Sequence, residues 1–238
     1  MDASAETRDP YCLTSAEEDA LLAGAPWSRF AVVGDSIAKG VLEEADGYRP
    51  VSWCDRVAEA MRRQQGGLQM LNVARMYALS EEVLNEQLAN TVAFGPDLAA
   101  VVCGGNDTFV PNWDPARTDA ALDRIVGGLV EAGAEVITFT MFDIVAALNM
   151  PAEFGADMDK RLATLADLTR RISQRHGTLH VEMRVHPACR EASVYASDFQ
   201  HASARGHAIC AAGTIHRLGA RLGNRLGDGA WPREPAAA

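Results

Sequence analysis

The feature that most constrains this chain is an alternation: short apolar runs recur between segments whose apolar residues fall at helical spacing. Phe30, Ala31, Val32 and Val33 form the first run and stop at Gly34, and Val51, Trp53, Cys54, Val57, Ala58 and Met61 then repeat at helical intervals. Residues 68–73 read as a second strand. Ser80 opens the next helix, with Glu81 and Glu82 in its first turn and Val83, Leu84, Leu88 and Val92 facing inward. Residues 98–103 give a third strand, and after a loop with Pro111 and Pro115, Leu122, Ile125, Val126, Leu129 and Val130 mark the cleanest amphipathic helix. A strand at 136–141, a helix through Leu162, Leu165, Ala166, Thr169 and Ile172, a weaker strand at 179–183 and a closing helix over 204–222 complete the series. Five strands alternating with helices predict an α/β fold, a doubly wound three-layer α/β/α sandwich around a parallel sheet. Parallel neighbours need crossover connections, and those are right-handed.

A chain of 238 residues can bury the core of one such domain without disulfide or metal support. Its 22 Lys and Arg against 32 Asp and Glu leave a net charge of −10, with the arginines scattered among acids, so no nucleic-acid face is expected. The five cysteines are odd in number and widely spaced, with no CxxC pair, and read as reduced core thiols. Charged residues interrupt every hydrophobic run, so no membrane span is expected. Residues 1–10 carry Asp2, Glu6 and Asp9 and lack the basic and apolar regions of a secretory signal, which makes cytoplasmic residence the expectation. Residues 1–28 read as an N-terminal extension whose short helix is opened by Thr14, Ser15, Glu17 and Glu18 in a capping-box pattern. A single domain over 29–226 and a C-terminal tail over 227–238 follow.

In a doubly wound sheet, ligands bind outside the carboxyl ends of the strands. The first strand is followed by Gly34, Asp35, Ser36 and Ile37, where the glycine permits a tight turn and Ser36 presents a hydroxyl beside free backbone N–H groups at a helix start. Serine is also a preferred helix cap, so position alone leaves a purely structural role open. The third strand is followed by Gly104, Gly105, Asn106 and Asp107, which bring backbone and an amide donor close to a ligand but equally make an ordinary turn. Near the end of the chain Asp198 stands three residues before His201. That spacing lets the carboxylate take one ring nitrogen and leave the other as a base toward a serine hydroxyl.

Taken together, the three blocks resemble those of the SGNH hydrolases, the GDSL esterase and lipase superfamily, over roughly residues 29–222. Ile37 replaces the usual leucine and Ala202 the usual proline, while Ser203, Gly206 and His207 match the usual continuation, and the Pro26–Trp27 lead is similar to actinobacterial cytoplasmic members. The resemblance implies a flavodoxin-like, SGNH-type sheet and an ester-cleaving serine hydrolase, with 29–226 as its catalytic domain. Ser36 would be the nucleophile, His201 the general base and then acid, and Asp198 the residue that orients it. The implied oxyanion hole comprises the Ser36 N–H, the Asn106 side chain and an N–H from the second block. There the sequence departs from the family, because residues 72–77 contain no glycine and alignment puts Tyr77 at that position. A tyrosine keeps the N–H but is strained wherever a positive φ is needed.

No metal and no cofactor are implied, and the expected partner is a small-molecule or acyl-ester substrate, with oligomeric state left open. Arg75, Phe109 and Phe199 are candidate substrate-binding residues. Trp113, Met141 and Phe142 join the two phenylalanines as candidates for an acyl or aromatic pocket, or for core cover. Arg75 alternatively reads as an ion-paired arginine, Asp35 and Asp107 as braces of the turns, His207 as packing or capping at the last helix, and Cys103 as a buried thiol. His176, His180, His186 and His216 show no ligand spacing and read as surface or core histidines. An acyltransferase using the same acyl-enzyme, and a non-catalytic binding protein on the same fold, stand as alternatives to the hydrolase.

Overall fold

The computed structural model describes residues 3–226, the side chain of residue 154 excepted, so the expected tail at 227–238 lies outside the described residues. The first elements are α1 (Ser4–Arg8), α2 (Ser15–Leu21), β1 (Arg29–Gly34), α3 (Ser36–Lys39), β2 (Leu42–Glu43) and α4 (Trp53–Gln65). Then come β3 (Gln69–Asn72), α5 (Ser80–Glu86), α6 (Leu88–Phe94), β4 (Leu98–Val102), α7 (Pro115–Glu131) and β5 (Glu135–Thr140). The chain continues through α8 (Ile144–Ala147), α9 (Ala152–His176), β6 (Leu179–Glu182), β7 (Ala202–Ser203) and α10 (Ala204–Leu222). These elements gather into two compact units, one of residues 27–39 and 69–190 and one that comprises, of the described residues, 3–26, 40–68 and 191–226.

The first unit holds the five-stranded sheet, in the order β3-β1-β4-β5-β6 with every pairing parallel. This is the predicted α/β fold, a parallel sheet flanked by helices. Phe30, Ala31, Val32 and Val33 are consecutive and all fully buried, so both faces of the sheet are covered, which explains why the central strands read as continuous apolar runs. The edge strand β3 is partly exposed. Pro115 at the first turn and the Asp114 side chain, which accepts from Ala116 N–H, start α7, and Leu122, Ile125, Val126 and Leu129 bury the predicted stripe against Ala99, Val101 and Val136. The single helix expected from Ser80 onward is instead two, α5 and α6, separated at Gln87.

The second unit packs α10 against α2 and α4. The Thr14 capping box forms as the sequence indicates, with Thr14 and Glu17 exchanging hydrogen bonds. The extension is not a loose arm within this unit, because the buried Glu6 accepts from both terminal nitrogens of the buried Arg56, and from Arg49 N–H at 2.8 Å. The short elements that escaped the sequence reading include α1 and the strands β2 and β7, which pair in parallel through Leu42 with Ala202 and Glu43 with Ser203.

Candidate active site

In the sheet unit, Ser36 is the first residue of α3 and is largely buried. Gly34 is forced to be glycine: its φ is +143°, and a Cβ there would come within 1.8 Å of Val102 O. The turn is closed by Asp35 N–H donating to Val102 O at 3.1 Å and by the Asp35 carboxylate accepting from Ile37 N–H at 2.9 Å. Asp35 therefore braces the turn as expected. As the first residue of a helix, Ser36 has a backbone N–H without an intrahelical acceptor.

The second-block turn follows β3. Arg75 N–H donates to Gly34 O at 3.1 Å, and Ala78 N–H to Arg75 O at 3.3 Å. Tyr77 stands there at φ +61°, in the left-handed region, with its side chain 67% exposed. The strain anticipated for a tyrosine at this position is thus present. Arg75 is ion-paired with Glu82 and Glu86, each at 3.2 Å.

The turn after β4 begins at Gly104, whose φ is +102°, and passes into a 3₁₀ turn over Asn106–Phe109. The Asn106 amide donates to Ala78 O at 3.1 Å, which ties this turn to the one carrying Tyr77. Buried Asp107 braces both, accepting from Ser80 N–H at 3.0 Å, from the Ser80 hydroxyl and from the Thr118 hydroxyl at 3.1 Å. Burial, reinforced by the carboxylates of Asp35 and Asp107, pushes the Cys103 thiol well above its usual range, so it stays a neutral thiol.

A cavity of about 50 Å³ opens at the strand ends of this unit, lined by Asp35, Ile37, Gly105, Met141 and Phe142 among others. Of the expected pocket residues, Met141 and Phe142 line it, whereas Phe109 is exposed and Trp113 lines a different cleft with its indole N–H on the Thr118 hydroxyl.

The second unit carries the other two candidates. Asp198 Oδ2 lies 2.5 Å from His201 Nδ1, and Oδ1 accepts from the N–H groups of Gln200 and His201 at 2.9 and 3.0 Å. Burial raises the Asp198 carboxyl, but the donors from His201 and Gln200 outweigh it and hold the group down at about 2. With Asp198 on Nδ1, Nε2 is the nitrogen left to act on a hydroxyl. Phe199, in the turn between them, has φ +55° and is exposed.

Two supports of this loop had no signal in the sequence, whereas His207 was read as packing or capping at the last helix. Glu43, on β2, accepts from the Ser197 N–H and hydroxyl, immediately before Asp198. Arg205 binds buried Asp9 at 2.7 Å and also reaches Glu191. His207 accepts from Trp53 N–H and donates to Val41 O, both at 3.0 Å, and its burial lowers its pKa to about 4. His207 thus packs in α10 as a neutral ring.

Among solved structures, the fold is similar to that of LAE5, an alpha/beta hydrolase enzyme from the metagenome of Lake Arreo, Spain. That pair has a TM-score of 0.65 and 20% identity, covering 83% of this chain and 96% of that one. It is also similar to the acetylxylan esterase Axe2 from Geobacillus stearothermophilus, with TM-score 0.65, 16% identity, and 82% and 94% of the two chains covered. The psychrotrophic esterase EstA from Pseudoalteromonas sp. gives a TM-score of 0.62 at 14% identity, over 83% of this chain and 100% of that one. No curated protein sequence matches. The parallel five-stranded sheet, with Ser36 at the helix start after its first strand, is the fold these hydrolases share, that of the SGNH class. The GDSL-like lipase/acylhydrolase family matches residues 32–209, and the chain belongs to that family. It is accordingly a serine hydrolase of ester bonds. No helix among the described residues is long and apolar enough to cross a membrane.

Proposed function

We propose that the protein cleaves the ester of a small or acylated substrate through an acyl-enzyme on Ser36, with 29–226 acting as one catalytic domain. In this reading His201 Nε2 takes the proton of the Ser36 hydroxyl as its oxygen attacks the ester carbonyl. His201 then gives that proton to the departing alcohol. A water, deprotonated by the same nitrogen, releases the acid and restores Ser36. The Ser36 and Tyr77 N–H groups and the Asn106 amide would stabilise the oxyanion, each donor supplying roughly 3 kcal/mol. The observation that carries the reading is the Asp198–His201 contact at 2.5 Å, which fixes the imidazole with the correct nitrogen available.

The cavity beside Ile37 holds only a few water-sized groups at about 50 Å³, which favours a short acyl chain, in keeping with an acetylxylan esterase among the proteins of similar fold. Arg75 is tied to two glutamates, so it serves less well as a substrate ligand than Met141 and Phe142 do as acyl walls. The five free thiols suit the reducing compartment we assign, the cytoplasm.

The test is labelling with a fluorophosphonate probe and mapping the adduct by peptide mass, on the wild type and on Ser36→Ala and His201→Ala. Adduct on Ser36 that disappears in both variants is expected, and adduct elsewhere or none would refute the triad. Product analysis with an added alcohol acceptor separates hydrolysis from acyl transfer.

A further inference from the structure

Gln87 is a residue no motif points to, yet it touches the turn that leads into Ser36. It sits where the helical stretch breaks between α5 and α6, at φ −109° and ψ −36°, and only 4% of it is exposed. Its side-chain amide spans a single peptide neighbour: Oε1 accepts from Gly34 N–H at 2.8 Å and Nε2 donates to Gly34 O at 2.9 Å. On one edge of β1, β4 runs alongside as far as Gly34 opposite Val102; on the other, β3 stops pairing at Val32 opposite Asn72. Beyond the end of β3, the Gln87 amide thus supplies the acceptor for Gly34 N–H that a strand neighbour would have supplied, and it donates to Gly34 O alongside Arg75 N–H. A buried amide that satisfies both backbone groups of one residue holds that residue in place and in orientation. On the other side, the following N–H, that of Asp35, donates to Val102 O at 3.1 Å.

We propose that Gln87 is a positioning residue for the nucleophile: by clamping Gly34 against β4 it sets the direction in which the turn delivers the Ser36 hydroxyl and N–H. The inference rests on the reading of Ser36 as the nucleophile. It also accounts for the helix break, because the side chain is drawn toward Gly34 at the one position where α5 and α6 part. Glutamine is required rather than merely a residue of its size. Methionine fills the volume without either bond, and ionised glutamate accepts from Gly34 N–H but cannot donate to Gly34 O.

The test uses the whole chain, with every rate expressed per Ser36 titrated by the fluorophosphonate probe and measured well below each variant's melting temperature. Gln87→Met is expected to lower kcat roughly 10- to 100-fold with KM within about twofold, as for a displaced reacting group. Gln87→Glu carries a signature that loss of stability alone would not give. Its buried carboxyl is neutral when protonated and then both donates and accepts, so its kcat relative to wild type should rise as pH is lowered. If Gln87→Met lowers the melting temperature but leaves kcat per titrated serine at the wild-type value, the proposal is wrong. Should that variant not fold, a flat ratio of Gln87→Glu to wild type across pH overturns it as well. Wild-type protein that takes no label on Ser36 would overturn the nucleophile reading and this inference together, whereas a labelled wild type with indifferent Gln87 variants overturns this inference alone.

Discussion

The turn that carries Ser36 and the loop that carries His201 are held by different forces. The serine turn is an extension of a buried parallel sheet: Gly34 is pressed against Val102, Asp35 closes the turn, and the walls are apolar. The histidine loop has a two-residue strand pair and an antiparallel bridge of Tyr195 with Ala202 beneath it, and it is held besides by charge, through Glu43 on Ser197, Asp9 and Glu191 on Arg205, and Asp198 on His201 itself. The first arrangement fails when its shape is altered, and the second fails also when its protonation is altered. Tyr77 is the exception on the sheet side, a strained residue whose exposed side chain gains little from packing and is kept in place by the hydrogen bonds of its neighbours.

The sharpest way to break this contrast is Gly34→Ala. The added methyl has no space and its backbone region is unfavourable, so we expect a loss of more than about 4 kcal/mol, read as insolubility or a collapsed denaturation midpoint. A variant melting within a few degrees of wild type would show that the turn is not shape-limited.

Acid should act on the other region. The pKa of His207 is about 4 in the folded chain and 6.5 in the unfolded one, so the unfolded state takes up the proton first. Its contribution to stability is complete above about pH 6.5 and is lost as pH falls toward 4, amounting to about 3 kcal/mol at the acid end. Asp198 adds a later step, present above its unfolded value of 3.8 and lost as pH falls through about 2. Denaturation curves from pH 7 to pH 4 should therefore weaken in the wild type and flatten in His207→Asn. Equal slopes would remove His207 as the cause.

Smaller in free energy is the effect of Asn106→Ala, expected to cut kcat by roughly 100-fold while costing only about 1 kcal/mol of stability through the lost bond to Ala78 O. An unchanged rate would leave Asn106 a brace and nothing more. The smallest effect is expected for Tyr77→Gly: relief of the positive φ, offset in part by glycine's greater freedom when unfolded, should raise the melting temperature by roughly 2–4 °C. A fall instead would mean that the exposed ring stabilises the turn after all.

How much of this was legible in the sequence follows the same division. The sheet unit writes itself in periodicity, and even the difficulty at Tyr77 could be read from a missing glycine; the last helix runs over the residues its apolar spacing marked out. The break at Gln87 could not be read, because glutamine is a good helix former and the cause is a bond to a residue 53 positions away. Glu43 and the Asp9–Arg205 pair were hidden for the same reason: a two-residue strand has no period, and partners 196 positions apart leave no local trace.

That separation also sets an order of assembly. The sheet unit draws on residues 27–39 and 69–190, so all of its chain has been synthesised before residue 191. In the unit with Asp198 and His201 the earliest described segments, 3–26 and 40–68, must wait for residues 191 onward before Asp9 meets Arg205 and α10 covers α2 and α4. Until then α2 and α4 lack the face of α10 against which they pack.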